Sequence, residues 1–122
     1  MADHGRADEA ALILEELLQA EPGCSSVRRV LGKIYIDLKR LDDAVCILQD
    51  SEDDVAVQSL LGTAYFKKGE LDRARVIFEQ LLLNEEMAEE MAMDARIKLA
   101  AIYARLGQPA KAAEYMMSAL PG

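Results

Sequence analysis

One fourteen-residue pattern occurs three times along this 122-residue chain, and it strongly limits what the chain can fold into. The copies begin at residues 31, 61 and 99 and read LGKIYIDLKRLDDA, LGTAYFKKGELDRA and LAAIYARLGQPAKA. Each copy has a Leu, then a small residue, then a Tyr, and an Ala nine positions after the Tyr. Self-similarity at a spacing of some 20 to 50 residues is typical of repeat architectures. The chain is therefore expected to be an array of one supersecondary unit.

The spacing within each copy predicts two helices joined by a tight turn. The Leu, the small residue and the Tyr lie at i, i+1 and i+4, so they share one face of a helix. The small residue lets a second helix approach closely, and the later Ala is the matching small residue on that helix. Gly69 and Gly107 stand where a helix C-terminus takes a left-handed residue. Each copy therefore predicts an αα-hairpin.

These shared positions resemble the tetratricopeptide repeat (TPR), whose pattern runs Leu-Gly, Tyr, Ala, Phe and Pro. The corresponding positions are held by Leu31, Leu61 and Leu99, by Gly32, Gly62 and Ala100, by Tyr35, Tyr65 and Tyr103, by Ala44, Ala74 and Ala112, and by Leu48, Phe78 and Met116. The pattern departs from the family where a leading Trp is usual, at Arg28, Gln58 and Arg96, and the terminal Pro is missing between full units. The resemblance spans most of the chain.

The resemblance implies an all-α fold, a right-handed superhelix of αα-hairpins that forms a TPR solenoid. Three full repeats are preceded by an orphan second helix, because GRADEA near the N-terminus fits the turn positions and Pro22 follows where a second helix would stop. The expected units are 1–24 for the orphan helix, 25–54 for unit 1, 55–92 for unit 2 with an extended linker or helix, and 93–120 for unit 3, in one continuous domain over 5–120.

The spacing between units varies by about one helical turn. The small residues of successive units lie 30 and 38 positions apart, against about 34 in a typical TPR. We expect the shortening at the end of the second helix of unit 1, where Ser51 with Asp54 resembles a capping box. We expect the lengthening where Asn84 would cap a long helix. Ser25 or Ser26 is expected to cap the first helix of unit 1.

Composition argues against several classes of function. The net charge of −8 would repel a phosphate backbone, so nucleic acid is not an expected partner. No apolar run approaches the roughly 18 residues of a membrane span and no signal-peptide core is present, so we expect a cytoplasmic protein with no membrane partner. Cys24 and Cys46 lie without a CxxC motif or a nearby His, which indicates reduced structural thiols.

The residues that usually carry catalysis are missing from the pattern. His4 is the only histidine and lies near the N-terminus, so acid–base catalysis, a Ser-His-Asp triad and His-ligated metals lack their usual member. The acidic clusters at 50–54 and 85–90 do not have the spacing of a calcium-binding loop. We therefore expect no enzymatic activity, no cofactor and no metal site.

The TPR resemblance implies that the first helices of the hairpins line a concave wall. Their segments, 25–40, 55–68 and 93–106, hold ten basic and two acidic residues, whereas the rest of the chain carries a net −16. A basic groove would attract an acidic peptide or a C-terminal carboxylate. The alternative is that Lys and Arg near helix C-termini only complement the helix dipole. The residues expected to contact a partner are Arg29, Lys33, Phe66, Lys67, Lys98 and Arg105.

The last helix offers a second candidate surface. Tyr115, Met116 and Leu120 would form an apolar edge on which a second copy of the chain could dock, because no later helix in this sequence covers them. At helical spacing these side chains are otherwise ordinary core residues.

The leading hypothesis is a non-enzymatic scaffold that binds a protein or a peptide. Two alternatives stay open at the family level. One is a small TPR chaperone of a secretion or pilus assembly system, and the other is a regulatory TPR segment excised from a larger enzyme.

Overall fold

The fold is all-α, as the repeat pattern predicts. The computed structural model describes residues 3–49, 54–84 and 87–119, with side chains from residue 5 onward, and these residues form seven helices and no strand. The helices are α1 (Asp3–Ala20), α2 (Ser25–Asp37), α3 (Leu41–Leu48), α4 (Val55–Lys68), α5 (Leu71–Leu82), α6 (Glu89–Arg105) and α7 (Pro109–Ala119). Within these ranges none of the helices combines the length and the apolarity that a bilayer-spanning segment requires.

The helices stack as successive hairpins. α2 packs on α3, α4 on α5 and α6 on α7, and each hairpin is joined to the one before it through contacts of α1 with α2, α3 with α4 and α5 with α6. The first helices α2, α4 and α6 also contact one another in turn, whereas in the described residues α3 does not contact α5 and α5 does not contact α7. The first helices therefore form the inner wall of a curved array, and the second helices stand apart on its outer side.

In each of the first two hairpins, a glycine of the first helix packs against a large side chain of the second helix. A Cβ built on Gly32 would lie 2.6 Å from Leu48, and one built on Gly62 would lie 2.8 Å from the ring of Phe78. Leu48 and Phe78 are both fully buried. Because protein interiors are close-packed, a residue with a side chain at either glycine would push the two helices apart.

A tyrosine of each first helix is hydrogen-bonded to the second helix of the preceding unit. The hydroxyls of Tyr35 and Tyr103 donate to Glu15 and Glu79, and the Gln49 amide donates to the Tyr65 hydroxyl at 3.2 Å. The partners lie 20, 16 and 24 residues apart along the chain. Although the segments between the paired residues differ by about one or two helical turns, each tyrosine meets the residue five positions after the Ala of the preceding unit. The packing register between units is therefore constant.

Two helices begin at the predicted residues but have other N-caps than those expected. α2 begins at Ser25 and its N-cap is Cys24, whose side chain makes no capping bond, so the expected serine cap is wrong. α4 begins after Asp54, which is itself the N-cap and accepts hydrogen bonds from the amides of Ala56 at 2.9 Å and Val57 at 3.3 Å. The described residues do not include Ser51, the other half of the expected capping box.

The extra helical turn between units 2 and 3 does not begin at Asn84, as the sequence predicts. Asn84 does not cap a long helix, because α5 ends at Leu82 and α6 begins only at Glu89. Between them the Met87 amide donates to the Asn84 carbonyl in a turn. The extra turn lies within α6, which has 17 residues where α2 has 13. Two glutamates in its first turn favour a start at this point, since they complement the positive end of the helix dipole.

Left-handed residues end the first helices, as predicted for Gly69 and Gly107. Their φ angles are 89° and 80°, which glycine adopts without steric cost. In unit 1 the same position is held by Lys39, with a φ of 63°. A side chain in this region of conformational space costs roughly 1–2 kcal/mol.

We expect Lys39→Gly to raise the free energy of unfolding by about 1 kcal/mol, because it removes this strain. The matched control is Lys33→Gly, which removes the same charge from the middle of α2 and should lower the stability by about 1 kcal/mol. Urea denaturation followed by circular dichroism measures both. Equal destabilisation by the two substitutions would contradict the strain at Lys39.

The buried tyrosine of unit 1 predicts a dependence of stability on pH. Burial, followed by the hydrogen bond to Glu15, raises the pKa of Tyr35 to about 12. Since this folded-state pKa lies above the value of about 10 in an unfolded chain, the contribution of neutral Tyr35 is complete below pH 10 or so and is lost towards pH 12.

Urea unfolding of wild type should therefore show stability falling from about pH 10 upward. Tyr35→Phe should flatten part of this fall. Glu15→Gln should give an intermediate slope, because burial, the larger cause, remains. A Tyr35→Phe profile parallel to that of wild type would show that Tyr35 does not titrate as stated.

Candidate functional site

The unit 1 end of the inner wall carries two cations without partners. Arg29 and Lys33 lie one turn apart on the exposed face of α2, and neither makes an ion pair or a side-chain hydrogen bond with residues 3–49, 54–84 or 87–119. Val30, beside Arg29, is 45% exposed. This end of the wall therefore presents positive charge next to an apolar side chain.

The centre of the wall is built by α4 and α6 together. The Arg105 guanidinium lies over the ring of Phe66, with Cζ 4.8 Å from the ring centroid, a cation–π contact between the two helices. Lys67 follows Phe66 and is exposed. Thr63 turns its hydroxyl to its own helix and donates to the Ser59 carbonyl at 2.9 Å.

Lys98 is the predicted contact residue whose charge is already paired. Its Nζ lies 2.9 and 2.8 Å from the two carboxylate oxygens of Asp94, one turn earlier in α6. A partner carboxylate would have to compete with Asp94 for this ammonium. Ile97, next to Lys98, is 43% exposed, so this part of the wall presents an apolar surface.

Other basic residues of the first-helix segments are bound within the chain. Arg28 donates to backbone carbonyls, at 2.9 Å in the case of Ile47. Arg40 pairs with Asp43 at 2.9 Å, and Lys68 with Asp42 at 2.5 Å. Hydrogen bonds to these carboxylates raise the pKa of Arg40 and of Lys68. Within the described residues, no ion pair or side-chain hydrogen bond holds the other six basic residues of these segments, which are Arg29, Lys33, Lys39, Lys67, Arg96 and Arg105.

The apolar edge predicted on the last helix, α7, is only partly exposed. The Tyr115 ring stacks on the Tyr103 ring, with centroids 5.6 Å apart and planes within 6°, so it is half-buried. Met116 is 41% exposed and Met117 is 74% exposed. Leu120, the third residue expected at this edge, lies outside the described residues.

A further apolar surface lies on α1, where the sequence analysis names no site. Leu12, Ile13 and Leu17 are 63%, 59% and 49% exposed. Leu81 holds the same position in its repeat as Leu17, seven residues after the Ala, and is 6% exposed because other helices cover it. Comparison of these aligned positions is the signal that identifies α1 as an uncovered second helix.

In the part of the chain that the structure describes, no group of three or more His, Cys, Asp or Glu side chains is placed to hold a metal ion.

Comparison with solved structures shows the same fold. The crystal structure of MamA superposes with a TM-score of 0.83 at 24% identity, over 94% of this chain and 67% of that one. MamA 41-end from Desulfovibrio magneticus RS-1 gives 0.81 at 19% identity, over 97% and 67%. MamA AMB-1 gives 0.79 at 25% identity, over 94% and 68%. This chain thus spans about two thirds of each of these structures.

Family models agree with the repeat pattern. Models described as tetratricopeptide repeat match residues 1–50 and 59–121. A comparison with curated proteins gives no significant match. The hairpin pattern, the stacked helices and the model matches agree, and the chain belongs to the tetratricopeptide repeat family, whose stacked hairpins serve as a protein-interaction scaffold.

Proposed function

We propose that this protein is a non-enzymatic scaffold whose inner wall binds an acidic peptide with apolar side chains. The observation that carries the proposal is the pair Arg29 and Lys33, exposed on α2 with no partner in the described residues. In a chain of net charge −8, two adjacent cations on the concave side attract a negatively charged segment and repel a positive one.

The remaining wall residues extend this site across the array. Phe66 and Ile97 supply apolar area. Lys67 and Arg105 supply positive charge near the C-termini of α4 and α6. A peptide crossing the three first helices would place carboxylates against the cations and an apolar side chain between them. Lys98 has a secondary role, because its ammonium is held by Asp94.

The test uses a fluorescein-labelled peptide of alternating Glu and Leu with a free C-terminus, followed by fluorescence anisotropy at 50 and 150 mM salt. Lys33→Glu should weaken binding about tenfold, equivalent to 1.4 kcal/mol, and the effect should shrink at the higher salt. Arg6→Glu on α1 makes the same change in net charge away from the wall and should alter the dissociation constant less than about twofold.

Equal losses from Lys33→Glu and Arg6→Glu would overturn the wall as the site, because only the overall charge would then matter. Unchanged affinity in the double variant Arg29→Glu, Lys33→Glu would overturn it as well.

The exposed ends of the array favour a second candidate, a scaffold that works by self-association. Met116 and Met117 on α7, together with Ile13 and Leu17 on α1, are apolar and partly or largely exposed, which is typical of interaction surfaces. A second copy would dock on the edge formed by Tyr115, Met116 and Leu120.

Light scattering coupled to size-exclusion chromatography checks this second candidate. The molar mass should rise with concentration above that of a 13.5 kDa monomer, and Met116→Glu with Met117→Glu should restore the monomer, because charges in an apolar interface oppose association. A monomer at every concentration up to about 1 mM, or a dimer that both substitutions leave unchanged, would refute it.

A further inference from the structure

The outer side of the array contains a cleft that the inner-wall function does not use. Because α3 and α5 do not touch in the described residues, a cleft of about 910 Å³ lies between them, with α4 as its floor. Gln49 lies at one side, Gln58 and Tyr65 on the floor, and Val76, Ile77 and Gln80 on the other side. This volume lies in the range of pockets that hold small ligands. We call it the α3–α5 cleft.

The next unit has an equivalent cleft that the chain fills itself. Between α5 and α7 there are two smaller cavities, of about 350 and 520 Å³, and Tyr115 lines both of them. Tyr115 divides the space because its ring stacks on Tyr103, with centroids 5.6 Å apart. In the α3–α5 cleft the corresponding residues are Ile77 and Tyr65. The position that an aromatic ring fills in unit 3 therefore carries an aliphatic side chain in unit 2.

The two clefts also differ in charge. Glu79 and Glu114 line the cleft of unit 3, whereas Gln49 and Val76 stand at the same positions in unit 2. Val76 is 45% exposed. The α3–α5 cleft thus has an amide and an aliphatic side chain in place of these two carboxylates. Asp72 and Arg73 also line it, one charge of each sign, so the lining has no net charge and suits a peptide segment without net charge.

A buried donor in this cleft has no acceptor. Gln58 stands at the position of Arg28 in unit 1, and the Arg28 guanidinium reaches the Ile47 carbonyl of the adjacent second helix at 2.9 Å. The glutamine is shorter, and its Nε2 is buried with no hydrogen-bond partner in the part of the chain described. Buried unpaired donors are rare in native proteins. Because this atom has almost no accessible surface, a ligand carbonyl would bond it only after the Gln58 side chain rotates toward the cleft that it lines.

A cation close to Tyr65, on the floor of the cleft, does not prevent another ring from stacking on this tyrosine. The Arg73 Cζ lies 5.7 Å from the centroid of the Tyr65 ring. In unit 3 the Lys111 ammonium lies 5.3 Å from the Tyr103 centroid while Tyr115 stacks on the same tyrosine. Cation and stacked ring are therefore compatible in this geometry.

We propose that the α3–α5 cleft is a second binding site, which takes an aromatic side chain from an uncharged peptide segment. The ring stacks on Tyr65 as Tyr115 stacks on Tyr103, and a backbone carbonyl of the peptide accepts a hydrogen bond from Gln58 Nε2. The side-chain amides of Gln49 and Gln80 can both donate to and accept from neighbouring peptide groups. The site lies on the side opposite the inner wall, so the two surfaces can be occupied by different segments at once.

The probe is the blocked tripeptide N-acetyl-Ala-Tyr-Ala-amide, titrated to millimolar concentration into the ¹⁵N-labelled full chain and followed by NMR. We expect saturable shifts at the side-chain amides of Gln49, Gln58 and Gln80. N-acetyl-Ala-Leu-Ala-amide should bind at least several-fold more weakly, because an aliphatic side chain does not stack. No saturable shift at these amides, or equal affinity for the two peptides, would overturn the proposal.

The decisive variant is Ile77→Tyr, which supplies the chain's own ring as unit 3 does and should lower the affinity for the tyrosine peptide at least tenfold. Val76→Glu introduces, at an exposed position, the carboxylate that Glu114 supplies in unit 3, and it should weaken binding several-fold. This variant keeps the test decisive if Ile77→Tyr does not fold. Lys33→Glu on the inner wall should leave this affinity unchanged, and Ile77→Tyr should leave acidic-peptide binding unchanged. Wild-type affinity in Val76→Glu and in a folded Ile77→Tyr would overturn the site.

Discussion

The contact between a small residue of a first helix and a large side chain of its second helix determines the geometry of the array. Gly32 against Leu48 and Gly62 against Phe78 leave no space for a Cβ, so the large side chain of the second helix packs directly on the backbone of the first. This closeness buries Leu48 and Phe78 completely. The exposed face of α2 carries Arg29 and Lys33, which make no ion pair in the described residues.

The tyrosine hydrogen bonds between units keep the packing register constant, although the number of residues between successive units varies. The segments between paired residues vary by up to about two helical turns, yet each tyrosine finds its partner at the same position of the preceding unit. Because the register is constant, the outer clefts recur at the same place in each unit. Their chemistry then depends only on the residues at a few positions, such as Ile77 in one unit and Tyr115 in the next.

Local sequence rules succeeded where the determinants are local and failed where a distant group takes part. The left-handed turns at Gly69 and Gly107 follow from glycine chemistry and were predicted. The N-cap of α2 was not predicted, because Cys24 holds that position and its side chain makes no capping bond. At the candidate site, residue type indicated which cations lie on first helices, but not which of them are already bound to carboxylates.

The sequence by itself determined the repeat, the hairpin and the positions of close packing, because helical periodicity decides which side chains share a face. Only the tertiary structure decided the rest. It placed Arg105 over Phe66, it left Arg29 and Lys33 without an ion pair in the described part of the chain, and it opened a cleft at Ile77 that Tyr115 closes one unit later. These features join residues of different helices, and no spacing along the chain encodes a contact that depends on how whole hairpins stack.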